Sequence, residues 1–178
     1  MKKHHPILYL FPMLFFISAG EARAQNHATT IKIQAMDMSR ALIKNDFDGF
    51  IKYIPDKIID YAGGKETMRS KMDSASVAMK NFGVSFKQIL IGNPGKIIHY
   101  RDQLQSVLPQ TTTLKTILGE MTAETSLIAV SGDNGKTWKF VDTNIYQVDK
   151  MKSVLPDLSP ELVIPPFKKP EFKPASGN

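Results

Sequence analysis

Asp142 is the residue to weigh first as an acid or base. Trp138, Phe140 and Asp142 alternate along the segment TWKFVD, so an extended strand places all three on one face. A carboxylate set beside two aromatic rings is disfavoured in its charged form. Its pKa rises, and it becomes a candidate general base. The same position also suits an acid that pairs with a nearby Lys or Thr, or one that reaches water at the rim of a hollow. Tyr53, Tyr61 and Tyr100 are candidates to line that rim with Trp138, as ligand contacts or as a phenol polarising a carbonyl. Equally, a tyrosine fits a core edge, with its ring inside and its hydroxyl in water.

The sharpest local pattern is Ser131-Gly132-Asp133-Asn134-Gly135-Lys136-Thr137-Trp138. It matches the Asp-box pattern and looks like the repeated hairpins of sialidase-type propellers. A propeller needs many copies, and this chain has one. The expectation is therefore a turn. Asp133 accepts backbone N–H groups across the loop, Gly135 takes a positive φ and Trp138 packs beneath. Sugar contact is the alternative.

Other chemistries find little support. His27 sits near the start of the expected mature chain, and His99 lies between Ile98 and Tyr100 in a strand pattern. Two such histidines make no recognisable metal site. There is no G-x-S-x-G elbow, no P-loop and no dinucleotide fingerprint. No cofactor or metal is expected.

These residues need elements to position them. Ile31, Ala35, Met38 and Leu42 share one helical face, and the segment 28–44 reads as a helix capped by Thr29 or Thr30. Met36 and Ile43 widen the stripe and predict burial on more than one side. Asn45-Asp46 ends that helix and caps a second, carrying Phe47, Phe50, Ile51 and Ile54. Lys57–Tyr61 reads as a short strand and Gly63-Gly64 as a turn. A helix from 65 to 82 follows, with Met68, Met72, Ala75, Met79 and Phe82 on one stripe. That stripe suits packing on a sheet, with a flexible ligand-binding wall as the alternative.

After Gly83 the period changes to two. Strands are predicted at 84–91, 97–100, 104–118, 122–130 and 137–145. Turns fall at Asn93-Pro94-Gly95, Arg101-Asp102, Gly119-Glu120 and 132–135. Pro109 marks an edge or a bulge. A short helix at 148–155 precedes five prolines at 160, 165, 166, 170 and 174. These argue against regular structure and for an extended strap over 162–167, with a loose end at 175–178.

The N-terminus carries its own signal. Lys2 and Lys3 precede a short apolar run from Ile7 to Ala19, and Ala22-Arg23-Ala24 offers small residues at the two positions that a signal peptidase accepts. This is the export pattern. The run is shorter than the roughly 20 residues of a membrane-spanning helix. The expectation is a cleaved signal at 1–24, Gln25 as the first mature residue, and a periplasmic or extracellular protein with no membrane-inserted segment after processing. The body should be one domain at 25–158, followed by the proline-rich strap and tail at 159–178.

The full chain has a formal charge of +6. Removing Lys2, Lys3, Arg23 and Glu21 leaves +4, spread rather than clustered, so no nucleic-acid partner is expected. The chain contains no cysteine. Disulfides, thiolate metal sites and a cysteine nucleophile are thereby excluded, and an apolar core must hold the domain.

Helices gathered on one side of antiparallel strands make an α+β domain. A strongly curved sheet wrapped around a long N-terminal helix, with two further helices, gives a cone with an open mouth. Several stretches carry a resemblance in order: Ala41-Leu42 through Asp46–Phe50, YAGGKETM at 61–68, SFKQILIGNPGKI at 85–97, SVLPQT at 106–111, DNGKTWKFVDT at 133–143 and LPDLSPELVIP at 155–165. Over roughly residues 28–165 the chain resembles the nuclear transport factor 2-like superfamily, in particular its small exported bacterial members. That superfamily contains isomerases, dehydratases, adaptors and plain binding domains, so fold alone assigns no activity.

No acid–base set is identifiable, so the sequence points to a non-catalytic domain. It would hold a small apolar ligand in the cone or pair through its sheet as a homodimer. An isomerase or dehydratase using Asp142 is the alternative. A third reading is an accessory domain that meets an envelope protein through the strap.

Overall fold

The computed structural model describes residues 19–144 and 148–175. The first eighteen residues of the expected signal lie outside the described residues. The fold is α+β. Among the described residues it has five helices: α1 (Ala19–Ile43), α2 (Phe47–Ile51), α3 (Asp56–Tyr61), α4 (Lys65–Asn81) and α5 (Val148–Val154). They accompany an open antiparallel sheet of six strands: β1 (Ser85–Ile91), β2 (Ile98–Tyr100), β3 (Gln103–Thr116), β4 (Gly119–Ser131), β5 (Lys139–Asp142) and β6 (Glu171–Pro174).

β3 and β4 form the spine, paired from Leu104↔Ser131 to Thr116↔Gly119. On the outer side of β3 lie β1 and β2, and on the outer side of β4 lie β5 and β6. Pro109 sits inside β3 opposite Ser126. Its carbonyl accepts from the Gly92 N–H at 2.8 Å. In an antiparallel strand a residue's N–H and C=O point the same way, so the missing donor of Pro109 faces the break between β1 and β2 and leaves the β3–β4 ladder intact. The register shift in this sheet is in β1, between Phe86 and Gln88.

Cross-strand partners share a face. One face of the spine therefore carries Leu108, Leu127 and Phe140, which are buried with Ile31, Ala35 and Met38 of α1 and Ile58 of α3. The opposite face carries Gln105, Ile128 and Val141, also buried. There the Gln105 amide donates to the Asp157 carbonyl at 2.7 Å, and its Oε1 accepts the Ser159 N–H at 2.8 Å. Leu162 and Ile164 of the strap pack half-buried against the core, while Phe167 stays exposed. Lys168 pairs with Glu124 at 2.6 Å.

Several local expectations are corrected. α1 begins at Ala19, so Thr29 and Thr30 do not cap it. Their hydroxyls donate back to the carbonyls of Gln25 and Asn26, at 3.0 and 2.9 Å. Ile33, Met36 and Ile43 remain exposed on the outer side of α1. Residues 57–61 belong to α3 and not to a strand. Pro55 stands at its N-cap, Asp56 supplies an acid to its first turn, and both favour a helix start. The β3–β4 turn falls on Ile117-Leu118, two residues before Gly119-Glu120. The proline-rich tail does form a strand, β6, on β4. Pro170 and Pro174 flank or end it, so the intervening residues keep their donors.

Candidate functional site

β5 is short, but both its ends are tied. The Phe140 N–H donates to the Tyr53 carbonyl at 2.7 Å, and the Thr143 N–H donates to the Ser126 carbonyl at 2.9 Å. This fixes Phe140, Val141 and Asp142 on the wall of an apolar cavity of about 240 Å³. α1 contributes Met38, Ser39 and Leu42, α2 contributes Phe50, α3 contributes Ile58, and the link between α2 and α3 contributes Ile54. α4 adds Met68 and Met72, and the sheet adds Gln110 and Leu127. Two methionines of the predicted stripe, Met68 and Met72, thus line this cavity. No residue of α4 is fully buried. It is held from outside by Asp48, which bonds Arg69 at 2.8 Å and Lys65 at 3.3 Å, and by Arg69 lying 4.2 Å over the Phe47 ring.

The polar end of the cavity is small. Gln110 Nε2 donates to Asp142 Oδ2 at 2.8 Å, and the Asn144 N–H donates to Oδ1 at 2.8 Å. Burial pushes the Asp142 carboxyl up, against these two bonds and a third from Thr125. About four acceptor positions exist on a carboxylate, so room for one further donor remains. The Ser39 hydroxyl donates to its own helix at the Ala35 carbonyl, 2.9 Å away.

The other residues named from the sequence do not converge there. Tyr53 packs its ring 6.3 Å from Phe140, and burial raises its hydroxyl pKa, but it faces a shallow surface depression beside Asp37 and Arg40. Tyr61 is 55 % exposed at the end of α3. Tyr100 lies under Arg101, 5.5 Å from ring centroid to guanidinium. Trp138 is buried and does not line the cavity. His99 is exposed, and His27 meets the edge of Trp138 at 6.4 Å. Ala22, Ala24 and Gln25 fall within α1.

A larger groove of about 580 Å³ runs between the Pro109–Ser126 region and the strap, walled by Ile164, Phe167 and Lys168. It lies partly under the Lys168–Glu124 pair, and it shares Gln110, Thr125 and Asn144 with the surroundings of Asp142 without reaching the carboxylate itself. The smaller cavity is the better candidate, because it joins apolar walls to a perturbed acid.

The Asp-box segment is a turn. Asp133 Oδ1 accepts the Thr137 and Lys136 N–H groups at 2.9 and 3.1 Å, and Oδ2 accepts the Thr137 hydroxyl at 2.6 Å. Ser131 Oγ accepts the Gly135 N–H at 2.9 Å, with Gly135 at φ +80°. Trp138 Nε1–H donates to the Gly135 carbonyl at 3.0 Å. Gln34, which carries no local mark of such a role, clamps this turn to α1. Its Oε1 accepts the Trp138 N–H at 2.7 Å, and its Nε2 donates to the Lys136 carbonyl at 2.9 Å.

Partial burial pushes the Asp133 carboxyl up. The bonds from Thr137, Ser131 and Lys136 outweigh it and hold the pKa at about 2. An unfolded Asp titrates near about 3.9. The stability Asp133 contributes as an anion is thus fully present above about pH 4 and is lost as pH falls towards about 2. Denaturant melts of the wild type and Asp133→Asn between pH 2 and 5 should show a stability gap that closes through this window. A gap that stays constant would show that the ionised carboxylate is not what holds the turn.

No helix among the described residues is long and apolar enough to cross a membrane. No group of three His, Asp or Glu among them is placed to hold a metal ion. Comparison of the chain with protein-family models, with curated proteins and with solved structures gave no match.

Proposed function

We propose that this chain is an exported, non-catalytic binding domain of nuclear transport factor 2-like architecture. In this reading the curved sheet cups α1, and the cavity between sheet and helices holds one small apolar ligand. The observation that carries the reading is the cavity itself. Its walls are almost wholly apolar, and its polar groups gather at Asp142 and Gln110. Sites for drug-sized molecules span about 300–1,000 Å³, so a single ring or a short acyl chain with one hydroxyl is the fitting class. The hydroxyl would donate to Asp142, and Gln110 would keep the carboxylate oriented. α4 is the natural entry wall, since it has no fully buried residue and contributes flexible methionines.

Thermal melts with a panel of cyclic and short-chain alcohols test this. A ligand at 100 times its Kd adds about 2.7 kcal/mol, a shift of several degrees for a chain of this size. Met72→Trp, which fills the cavity, should abolish the shift. The proposal fails if no member of the panel shifts the melt, or if Met72→Trp leaves the shift unchanged.

The buried position of Asp142 favours one second reading, an isomerase or dehydratase using it as base. Against it stands the lining, in which no Tyr or His faces the acid. Asp142→Asn separates the two. A binding domain keeps its fold and loses about tenfold or more in affinity for an alcohol, the scale of one hydrogen bond to a charged group; an enzyme loses turnover. The folded pKa is raised by burial, so the protonated acid's contribution to stability is present below about pH 4 and is lost as pH rises through the folded value. Near neutrality Asp142→Asn should therefore melt at the same temperature or higher.

A further inference from the structure

The turn between β3 and β4 breaks the usual chemistry of a hairpin. Two-residue loops favour Asn, Asp, Gly or Ser, which supply turn geometry and face water. Here the two loop residues are Ile117 and Leu118, 78 % and 74 % exposed. Neither has a positive φ, and the turn is closed by Thr116, whose Oγ1 accepts the Leu118 N–H at 3.2 Å. Apolar side chains therefore sit at a protruding tip where the fold has no need of them. Phe82, 73 % exposed at the end of α4, adjoins the tip through Gly83, which lies against Ile117.

Behind the tip the charge is one-sided. Lys115, Glu120 and Lys173 form one cross-strand row, and Lys87 reaches the same glutamate at 2.5 Å. Three lysines against Glu120 and the neighbouring Glu171 leave a net positive band. The next row on the other face is apolar: Phe86, Leu114, Met121 and Phe172 are aligned across β1, β3, β4 and β6, with Met121 and Phe172 exposed.

We propose that this end of the sheet seats on an anionic bilayer surface, with Ile117 and Leu118 entering the interface and Lys87, Lys115 and Lys173 meeting lipid phosphates. The distances agree. A strand rises about 3.3 Å per residue, which puts the lysine row roughly 7–10 Å behind the tip. Interfacial apolar groups enter to about 5–10 Å. The composition favours lipid over a protein partner, because protein interfaces are enriched in Arg and depleted in Lys, and the band has only Lys. This is shallow seating and not a spanning segment, and it does not depend on the cavity holding a ligand.

The test uses the expected mature chain from Gln25 onward, which lacks the basic and apolar signal, with vesicles of phosphatidylcholine alone and of phosphatidylcholine with phosphatidylglycerol at about 7:3. Co-sedimentation is expected with the anionic vesicles and is expected to weaken as salt rises. Each of Lys115→Gln and Lys173→Gln should weaken it about fivefold. Ile117→Ser with Leu118→Asn should weaken it tenfold or more. Both changes in the double variant are to turn-favouring, solvent-facing residues, so it should fold as the wild type does, which circular dichroism checks. Equal binding to neutral vesicles overturns the proposal, as does a double variant that sediments like the wild type. It is also overturned if the tip drives self-association, seen by sedimentation velocity and lost in the double variant, while vesicles go unbound.

Discussion

Trp138→Ala should destabilise the domain by about 3–5 kcal/mol, the range for truncating a large buried aromatic side chain. For a chain of this length that lowers the melting temperature by roughly 10 °C or more. Three things are lost together. The indole is 1 % exposed and packs with the core of α1 and β5. Its N–H satisfies the Gly135 carbonyl inside the turn. Its packing also keeps its own backbone against Gln34, the one side chain that joins the turn to α1 from both sides. Trp138→Phe keeps most of the burial and loses the indole bond, so it should fall about 1–2 kcal/mol short of the wild type. Trp138 is the only tryptophan in the chain, so its blue-shifted emission reports the wild-type transition directly and circular dichroism follows the variants. A loss under about 1 kcal/mol for Trp138→Ala would mean that the turn and its indole are ornaments on a core that stands without them.

The second large effect is expected at Gln105, which is fully buried. Its side chain satisfies the Asp157 carbonyl and the Ser159 N–H, some fifty residues away along the chain. Gln105→Ala strips both partners. Buried groups left unpaired cost about 1–3 kcal/mol each, so a total of about 2–4 kcal/mol is expected, allowing for some water entry. The loss should also have an address. The strap from 160 onward is anchored just downstream of this contact, and it contains Lys168 and Lys169. Trypsin should cut after Lys168 well before the body unfolds, and much faster in Gln105→Ala than in the wild type. Limited proteolysis read by mass spectrometry decides it. If the variant's tail is as protected as the wild type's, then the Lys57 and Arg101 pairs with Asp157 and the packing of Leu162 and Ile164 hold the strap unaided.

What the sequence disclosed, and what it withheld, follows from how local each cause is. Asn45 takes φ 55°, and Asp46 accepts the Gly49 N–H at 2.9 Å. That helix break was readable, because a few adjacent residues make it. The strands of the sheet were readable from period two, and the Asp-box from its own internal bonds. α3 was misread because Ile58-Ile59 invites a strand, while the cue for a helix lay upstream, in Pro55 and Asp56. β6 is hidden because the prolines around it argue against regular structure, and only its pairing with β4 shows that Pro170 and Pro174 stand at the strand's ends. The long-range ties, of which only Gln110 belongs to the cavity, were invisible for a different reason. Gln34, Gln105 and Gln110 act on partners 102, 52 and 32 residues away, and a glutamine carries no local mark of such a role. Asp142 was legible, since alternation with Trp138 and Phe140 set its face. Its company was not, because the cavity draws its walls from α1, α2, α3, α4 and three strands.

The outer edge of β4 is completed in two pieces made at different times. Residues 127–130 receive β5 almost at once, but residues 119–122 wait for 171–174. Gly119 shows how close that late contact is, since a Cβ there would stand 2.2 Å from the Lys173 carbonyl oxygen. A nascent chain therefore carries an open sheet margin until residues 171–174 have emerged, and open margins recruit other strands. Termination before residue 171 should consequently yield material that clumps rather than a slightly shortened domain, and the prolines along the waiting segment help to keep it from pairing with the wrong neighbour meanwhile.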